Sequence, residues 1–77
     1  MHELGITQEI LAIVSRHARG ARVTRIRLEI GKLAAILPDA VRFAFEVSRP
    51  GTVAEGAELE IIETAGQELR VTELEVE

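Results

Sequence analysis

The sequence of 77 residues has no cysteine, tryptophan or tyrosine, and only two phenylalanines and two prolines. Without cysteine the chain can form neither a disulfide nor a thiolate zinc site, and it has no cysteine nucleophile. No apolar run approaches the roughly 18 residues that a membrane span needs. The charged start, MHELGITQEI, lacks the basic and apolar regions of a signal peptide, so we expect a cytoplasmic protein without a membrane partner.

Charge and aromatic content argue against a nucleic-acid partner. The formal net charge is −4, and Phe43 and Phe45 are the whole aromatic inventory. Nucleic-acid binders usually present a basic face and often stacking aromatic side chains. Acidic residues elsewhere dilute the one basic cluster, which we interpret as a solvated face: Arg16, Arg19, Arg22, Arg25 and Arg27.

Two segments have helical periodicity. In residues 4–19 apolar side chains recur every three or four positions, and Gly20 is predicted to be the left-handed residue that ends this helix. Pro38 and Asp39 predict the start of a second helix that runs to about residue 48. Proline suits the first helical position because it has no N–H there to leave unpaired, and aspartate favours the positive end of the helix dipole.

Three segments alternate between apolar and polar residues, as strands do. They cover residues 21–30, 57–61 and 69–76, and in the first of them the predicted core face consists of Thr24, Ile26, Leu28 and Ile30. In the last segment the apolar positions change from odd to even after Val71. A regular strand would then expose some of them, so a bulge is predicted near Thr72 and Glu73.

The predicted element order is therefore helix, strand, helix, strand, strand. The length allows a single domain over residues 1–77, and we expect a two-layer α+β fold with a three-stranded mixed sheet and both helices on one face. The strand–helix–strand unit favours a right-handed parallel crossover, and the last two strands are expected to form an antiparallel hairpin.

Catalytic motifs are missing from the sequence. It contains no GxSxG, P-loop, GxGxxG or HExxH pattern. The carboxylates mostly alternate along strand faces, and so small a chain offers little to wall a substrate pocket. We therefore expect that this protein is not an enzyme, and no catalytic residue is assigned.

The first two residues offer a set of nitrogen donors for a metal. The amide nitrogen of His2 can close a five-membered chelate with the Met1 amine and a six-membered one with its own imidazole Nδ1. Tetragonal nitrogen sets suit Ni(II) or Cu(II) better than zinc or magnesium, and the choice between those two stays open. The fourth ligand is also left open, because water, a carboxylate or a partner protein can supply it. An exposed, frayed terminus without metal is the alternative interpretation of this start.

Five stretches of the sequence together resemble the HypA/HybF family of nickel-insertion accessory proteins of [NiFe]-hydrogenase maturation. These are residues 1–4 (MHEL), the first helix, residues 28–33 (LEIGKL), residues 43–46 (FAFE) and residues 52–61 (TVAEGAELEI); residues 68–71 and 74–77 resemble the family's last strand. The resemblance implies that Met1, His2 and Glu3 form the nickel site of a metallochaperone. The partners it implies are a nickel-loading, HypB-like maturation GTPase, the hydrogenase large-subunit precursor and, for some relatives, urease maturation proteins.

Two departures from the family pattern qualify that expectation. Family members carry a zinc-binding insertion with paired CxxC motifs between the last two strands, whereas here residues 63–67 join the strands directly. We therefore expect no zinc in this chain. The position before Pro38, often acidic in relatives, is Leu37, so an auxiliary carboxylate is missing there, and Asp39 is its nearest substitute.

Three further points concern His17, the alternative function and the oligomeric state. His17 lies some 20 Å from His2 along a continuous helix, too far to share one metal, and we expect it to be partly buried at the end of the helix. The alternative to nickel delivery is a metal-independent module that docks the maturation GTPase. A homodimer is also left open, because a three-stranded sheet has exposed edges.

Overall fold

The computed structural model describes residues 3–77. In chain order these form α1 (Glu3–Ala18), β1 (Val23–Gly31), a short 3-10 turn (Lys32–Ala34), α2 (Pro38–Ser48), β2 (Glu58–Thr64) and β3 (Leu69–Val76). The predicted order of elements is confirmed. Neither helix in this part of the chain has the length and apolar character that crossing a bilayer requires.

Both helices end or begin as the local sequence predicts. α1 ends before Arg19 and Gly20, whose φ angles are 52° and 85°. Glycine adopts this left-handed region without a steric penalty, so the role predicted for Gly20 is confirmed. α2 begins at Pro38 with Asp39 in its first turn, as expected.

β1 is the central strand of the sheet, with β2 on one side and β3 on the other. β1 and β2 are parallel, as the crossover through α2 predicts, whereas β1 and β3 are antiparallel. The predicted hairpin between the last two strands is wrong, because β3 pairs with β1 instead of β2. A hairpin would have left one edge of β1 open. The observed order pairs the main-chain groups of this deeply buried strand on both sides.

β3 contains the predicted bulge. Arg27 pairs with Glu73 and Leu28 pairs with Val71, so Thr72 has no residue opposite it on β1. The extra residue restores the alternation, and the apolar side chains on either side of it pack against the core.

A second irregularity lies at the start of β1. Val23 pairs with Val76 and Arg25 pairs with Glu75, which leaves Thr24 as an extra residue. Thr24 is exposed and Val23 is fully buried. The predicted place of Thr24 on the core face is therefore wrong, because the extra residue reverses the alternation before Arg25.

The core lies between the helices and one face of the sheet. Apolar side chains from both helices, from β1 and β2 and from the segment before β2 form one buried cluster, and partly buried side chains of β3 pack against it. Its members are Ile6, Ile10, Leu11, Val14, Ala18, Val23, Ile26, Leu28, Ile30, Val41, Phe45, Ala54, Ala57 and Leu59. The predicted two-layer arrangement, with both helices on one face of a mixed sheet, is confirmed.

Ion pairs, not helices, cover the opposite face of the sheet. Arg25 and Arg27 on β1 contact Glu60 on β2 at 2.8 and 2.7 Å, and Glu73 on β3 at 3.4 and 2.9 Å. Arg25 also contacts Glu75 at 2.9 Å. The hydrogen bond that Arg27 donates is the main reason why the pKa of Glu60 lies below the usual glutamate value.

The connection between β2 and β3 passes over the end of β1. The amide of Gly31 donates to the carbonyl of Glu68 at 2.7 Å, and the amide of Leu33 donates to the carbonyl of Gly66 at 2.9 Å. A Cβ on Gly31 would overlap the Gly66 carbonyl group. The φ of Gly31, −75°, suits any residue, so glycine is needed here for close approach and not for conformation.

Candidate metal site at the start of the chain

Two of the three predicted nickel ligands, Met1 and His2, lie outside the described residues, and their role stays a prediction. The third, Glu3, is the first residue of α1 and is partly buried. A carboxylate in the first turn is favourable because the unpaired N–H groups of that turn carry partial positive charge. Glu3 thus has a structural reason for its position, and its role as a metal ligand also stays a prediction.

The first turn of α1 lies at the end of the molecule where β1 ends. Only residues 19–22 separate α1 from β1, so the helix and the strand run in opposite directions. The start of α2 and the connection between β2 and β3 follow β1 at this same end, which we call the N-terminal end. The first turn of α1 therefore lies at the same end of the molecule as these two segments.

An exposed apolar surface adjoins the first turn of α1. Leu4, Phe43 and Val47 are 43%, 71% and 60% exposed. With Glu3 and two alanines they line one shallow hollow between the helices, formed by Glu3, Leu4, Ala40, Phe43, Ala44 and Val47. The sequence shows the second apolar stripe of α2 but gives no sign that solvent reaches it.

Carboxylates at the N-terminal end are scattered. Glu68 accepts a short hydrogen bond from the Thr64 hydroxyl, which is the main reason why the pKa of Glu68 lies below its usual range. Asp39, the predicted substitute carboxylate, is exposed in the first turn of α2. Within residues 3–77 no group of three or more histidine, aspartate or glutamate side chains could hold a metal ion.

Nothing in the sequence indicates that Thr7 is buried. It is 1% exposed and is the one polar residue among the buried residues of the described chain. Its hydroxyl oxygen has no hydrogen-bond partner within residues 3–77. In the sequence it is an ordinary polar position between Ile6 and Gln8, so only the structure reveals that it is buried.

His17 lies far from the predicted ligands. Fourteen residues of continuous helix separate it from Glu3, which is about 21 Å at 1.5 Å per residue. The expectation that His17 is partly buried is wrong, because its side chain is exposed. Val14 and Ala18 take the buried positions of this last turn, which leaves His17 at the rim of a shallow hollow against β3.

A family described as "HypA: Hydrogenase/urease nickel incorporation, metallochaperone, hypA" matches residues 1–69, and the chain belongs to this family. The resemblance found in the sequence is thereby confirmed. Because the family is one of metallochaperones, the prediction that the chain is not an enzyme is confirmed at family level, and so is the association with nickel.

Two relatives illustrate how much of the chain is shared. The hydrogenase maturation factor HypA of Nostoc punctiforme is 64% identical over 66 residues, which are 86% of this chain and 58% of that protein. The protein of the same name in Geobacter sulfurreducens is 45% identical over 67 residues, or 87% of this chain and 61% of that protein. The chain thus spans only about three fifths of these relatives.

Solved structures have the same fold. The Ni metallochaperone HypA from Helicobacter pylori aligns with a TM-score of 0.76 at 19% identity, covering 99% of this chain and 93% of that chain. A second solution structure of a HypA protein aligns with a TM-score of 0.80 at 21% identity, covering 99% and 96%. At this identity the likeness establishes the architecture alone.

Proposed function

We propose that this chain is the nickel-binding module of a hydrogenase maturation factor, and that it binds one Ni(II) at Met1, His2 and Glu3. The observation that carries the proposal is the Met-His-Glu start of a chain whose residues 1–69 match a family described by nickel incorporation. Residues 1–77 form a single domain, which delivers its metal during [NiFe]-hydrogenase maturation in the cytoplasm.

The donor chemistry of the start supports this function. The α-amine and the imidazole have ordinary pKa values of about 7.7–8.0 and about 6.5, so both are available as neutral donors near neutral pH. When Ni(II) binds between them, it displaces the proton of the His2 amide, and that proton passes to water. The resulting nitrogen donors suit a tetragonal Ni(II) centre.

The place of the start in the fold supports release of the metal. Three consecutive residues supply at most part of a coordination sphere, and a partner can complete it. Glu3 anchors the segment as the first residue of α1, so the chelate is attached to a rigid helix. An incomplete site at the tip of such a helix holds the ion loosely and presents it to a recipient.

The partners in this proposal are a nickel-loading, HypB-like maturation GTPase and the hydrogenase large-subunit precursor, with urease maturation proteins as further recipients. The chain contains no cysteine, and residues 65–68 alone connect β2 to β3. We therefore propose that the zinc-binding insertion of the family is absent here and that this chain holds no zinc.

A second candidate function is metal-independent docking to the maturation GTPase. The observation that favours it is the exposed apolar surface of Leu4, Phe43 and Val47, since contiguous apolar patches on small proteins often mark interaction sites. In that case the chain would bind its partner equally well with and without the N-terminal ligands.

Ni(II) titration of two histidine variants tests the metal site. His2→Ala is expected to abolish the nickel d–d absorption band, because it removes the imidazole donor. His17→Ala is a matched control, since it removes the only other histidine at a distance from the site. Equal binding by wild type and His2→Ala would refute the proposed site. A wild type that binds no nickel, together with GTPase pull-down unaffected by His2→Ala, would favour docking.

A further inference from the structure

The two edges of the sheet differ in how they are protected. Along the β2 edge, Arg42 on α2 donates a hydrogen bond to the carbonyl of Leu59 at 2.8 Å, and Arg49 donates one to the carbonyl of Ala57 at 2.8 Å. These carbonyls lie at the start of β2 and just before it. A further strand at this edge would have to displace both guanidinium groups, so the start of β2 is protected against pairing.

The β3 edge is open to a further strand. β3 pairs with β1 on one side and is the outer strand of the described sheet on the other. Val71 and Leu74, on its core face, are partly buried and line a shallow hollow against Ile13, Val14 and His17 of α1. The apolar layer of the fold therefore reaches solvent along this edge, at the place where another strand would add.

The apolar side chains of β3 are complementary to one another in one antiparallel register. Because Thr72 is an extra residue, Leu69 and Val71 before it face the core together with Leu74 and Val76 after it. When a second copy runs antiparallel with the two bulges side by side, Leu69 lies opposite Val76 and Val71 lies opposite Leu74. Both strands then have equal numbers of residues on either side of the bulge, and apolar residues face each other as cross-strand pairs.

The charged side chains of the open face match in this same register. Arg70 lies opposite Glu75 of the second copy, and the reverse pair forms on the other side of the axis. Within one chain Arg70 contacts Glu29 at 3.0 Å, and Glu75 contacts Arg25 at 2.9 Å. Pairing of two copies therefore joins these contacts into two rows of alternating charge that cross the interface. Opposite charges placed directly across two strands stabilise their pairing.

We propose that two copies of this chain associate through their β3 edges, antiparallel about a two-fold axis between Thr72 and Glu73. An axis perpendicular to the sheet keeps each layer on its own side, so the dimer has one six-stranded sheet with all four helices on one face. Glu73 meets its own copy near this axis, and its contact with Arg27 at 2.9 Å reduces the repulsion.

The proposed dimer is closed and does not depend on nickel. The two β2 strands become its outer edges, and Arg42 and Arg49 protect the start of each, which limits the assembly to two copies. None of the interface residues belongs to the predicted metal site. The association and the nickel function can therefore fail independently of each other.

The oligomeric state of charge variants tests this interface. In sedimentation or light scattering at rising concentration, the mass of the wild type is expected to increase from 8.4 kDa towards twice that value. Arg70→Glu and Glu75→Arg each convert both cross-strand pairs into like-charge pairs, so each alone should raise the dissociation constant about 10-fold or more. An equimolar mixture of these two variants should dimerise like the wild type, because every pair between them is again of opposite charge.

Glu58→Arg is the matched control. It makes the same change of charge as Glu75→Arg and also adjoins Arg25, but it lies on β2 at the other edge. It is expected to leave the dissociation constant unchanged. Far-UV circular dichroism of each variant checks that the monomer is folded.

Single cysteines test the register, because the chain has none of its own. A mixture of Arg70→Cys and Glu75→Cys should form an intermolecular disulfide faster than either variant alone. Opposite residues bring their Cβ atoms to about 4.5–5.5 Å, close to the separation in a disulfide. Position 70 in the two copies is about 16 Å apart along the strands at 3.3 Å per residue.

Three results would overturn the proposal: a wild type that stays at 8.4 kDa throughout the concentration series, a dimer that Glu58→Arg weakens as much as Glu75→Arg does, and a mixture of charge variants that stays monomeric. If a charge variant does not fold, the cysteine pair decides. A disulfide that forms no faster in the mixture than in the single variants would then refute the register.

Discussion

The hydrophobic core and the start of the chain differ in how their residues are brought together. The core draws on both helices and two strands, with side chains of β3 packed against it, and the strand at its centre is hydrogen-bonded on both sides. The candidate nickel site draws on three consecutive residues, of which Glu3 alone belongs to a described element. Folding therefore brings the core residues together, whereas the proposed nickel ligands are already neighbours in the sequence.

If nickel binds at the proposed site, this difference makes the stability of the domain and its metal binding separable. Substitutions in the core should unfold the protein without addressing nickel chemistry, and substitutions in the first residues should remove nickel with the fold intact. The following substitutions probe the core half of the comparison, from the largest expected effect to the smallest.

The largest effect is expected at the buried phenylalanine. Phe45 is 1% exposed, and Phe45→Ala would leave a large cavity, for which about 3–5 kcal/mol of unfolding free energy is typical. A single core in a chain of this size rarely supplies more than that, so this variant should be largely unfolded. Far-UV circular dichroism during urea titration measures the loss of unfolding free energy, since the chain has no tryptophan or tyrosine for fluorescence.

Phe43, two residues earlier on α2, is the matched control. It is 71% exposed, so Phe43→Ala is expected to change the unfolding free energy by no more than about 0.5 kcal/mol. Comparable losses from the two substitutions would contradict the assignment of the core to one face of α2.

The crossing over the end of β1 should be the next most sensitive point. Any side chain at Gly31 meets the main chain of Gly66 and Glu68, and overpacking of this kind costs roughly 1–3 kcal/mol. Gly31→Ala is therefore expected to lower the urea midpoint. Gly5→Ala, where a Cβ meets nothing within 4 Å, should be neutral or stabilising by up to about 1 kcal/mol through helix propensity. If both variants lowered the midpoint alike, close approach would not explain Gly31.

The smallest effect concerns the ion pairs on the open face of the sheet. The folded-state pKa of Glu60 is lowered by Arg27 and Arg25. Its ion pairs therefore contribute fully above the ordinary glutamate pKa of about 4.3, and the contribution is lost as the pH falls through the lowered folded value. Glu60→Gln should be slightly less stable than wild type at neutral pH.

The urea midpoints of Glu60→Gln and wild type are expected to converge as the pH is lowered from about 5 to about 3. Glu9→Gln is the control, because it removes an exposed carboxylate on α1 away from the sheet. A constant gap between wild type and Glu60→Gln over this range would show that the carboxylate charge does not stabilise the open face.

Local features of the fold were predictable from the sequence. The left-handed residue Gly20, the proline start of α2 and the bulge at Thr72 each follow from a few neighbouring residues, and all three are confirmed. The reversal at Thr24 was not predictable, because Thr24 fits either face of a strand and its exposure depends on the register with β3.

Features that depend on distant segments were less predictable. A short connection suggests a hairpin, but residues 65–68 instead cross the end of β1, which is possible only because Gly31 lies beneath them. Likewise, the helical pattern could not tell that His17 falls at the rim of the core, because that depends on where β3 lies. For the candidate site, the sequence supplied the predicted ligands and the family resemblance, whereas the burial of the Thr7 hydroxyl emerged only from the packing of α1.

The central claim, a nickel site built on the free amino terminus, is tested most directly by paired titrations. Ni(II) is added to protein with its native start and to protein carrying two extra residues before Met1. The extension removes the α-amine from its place beside His2 but leaves the side chains and the domain unchanged. We expect a d–d band and saturable binding for the native start and their loss in the extended protein. Equal binding by both proteins would contradict the claim.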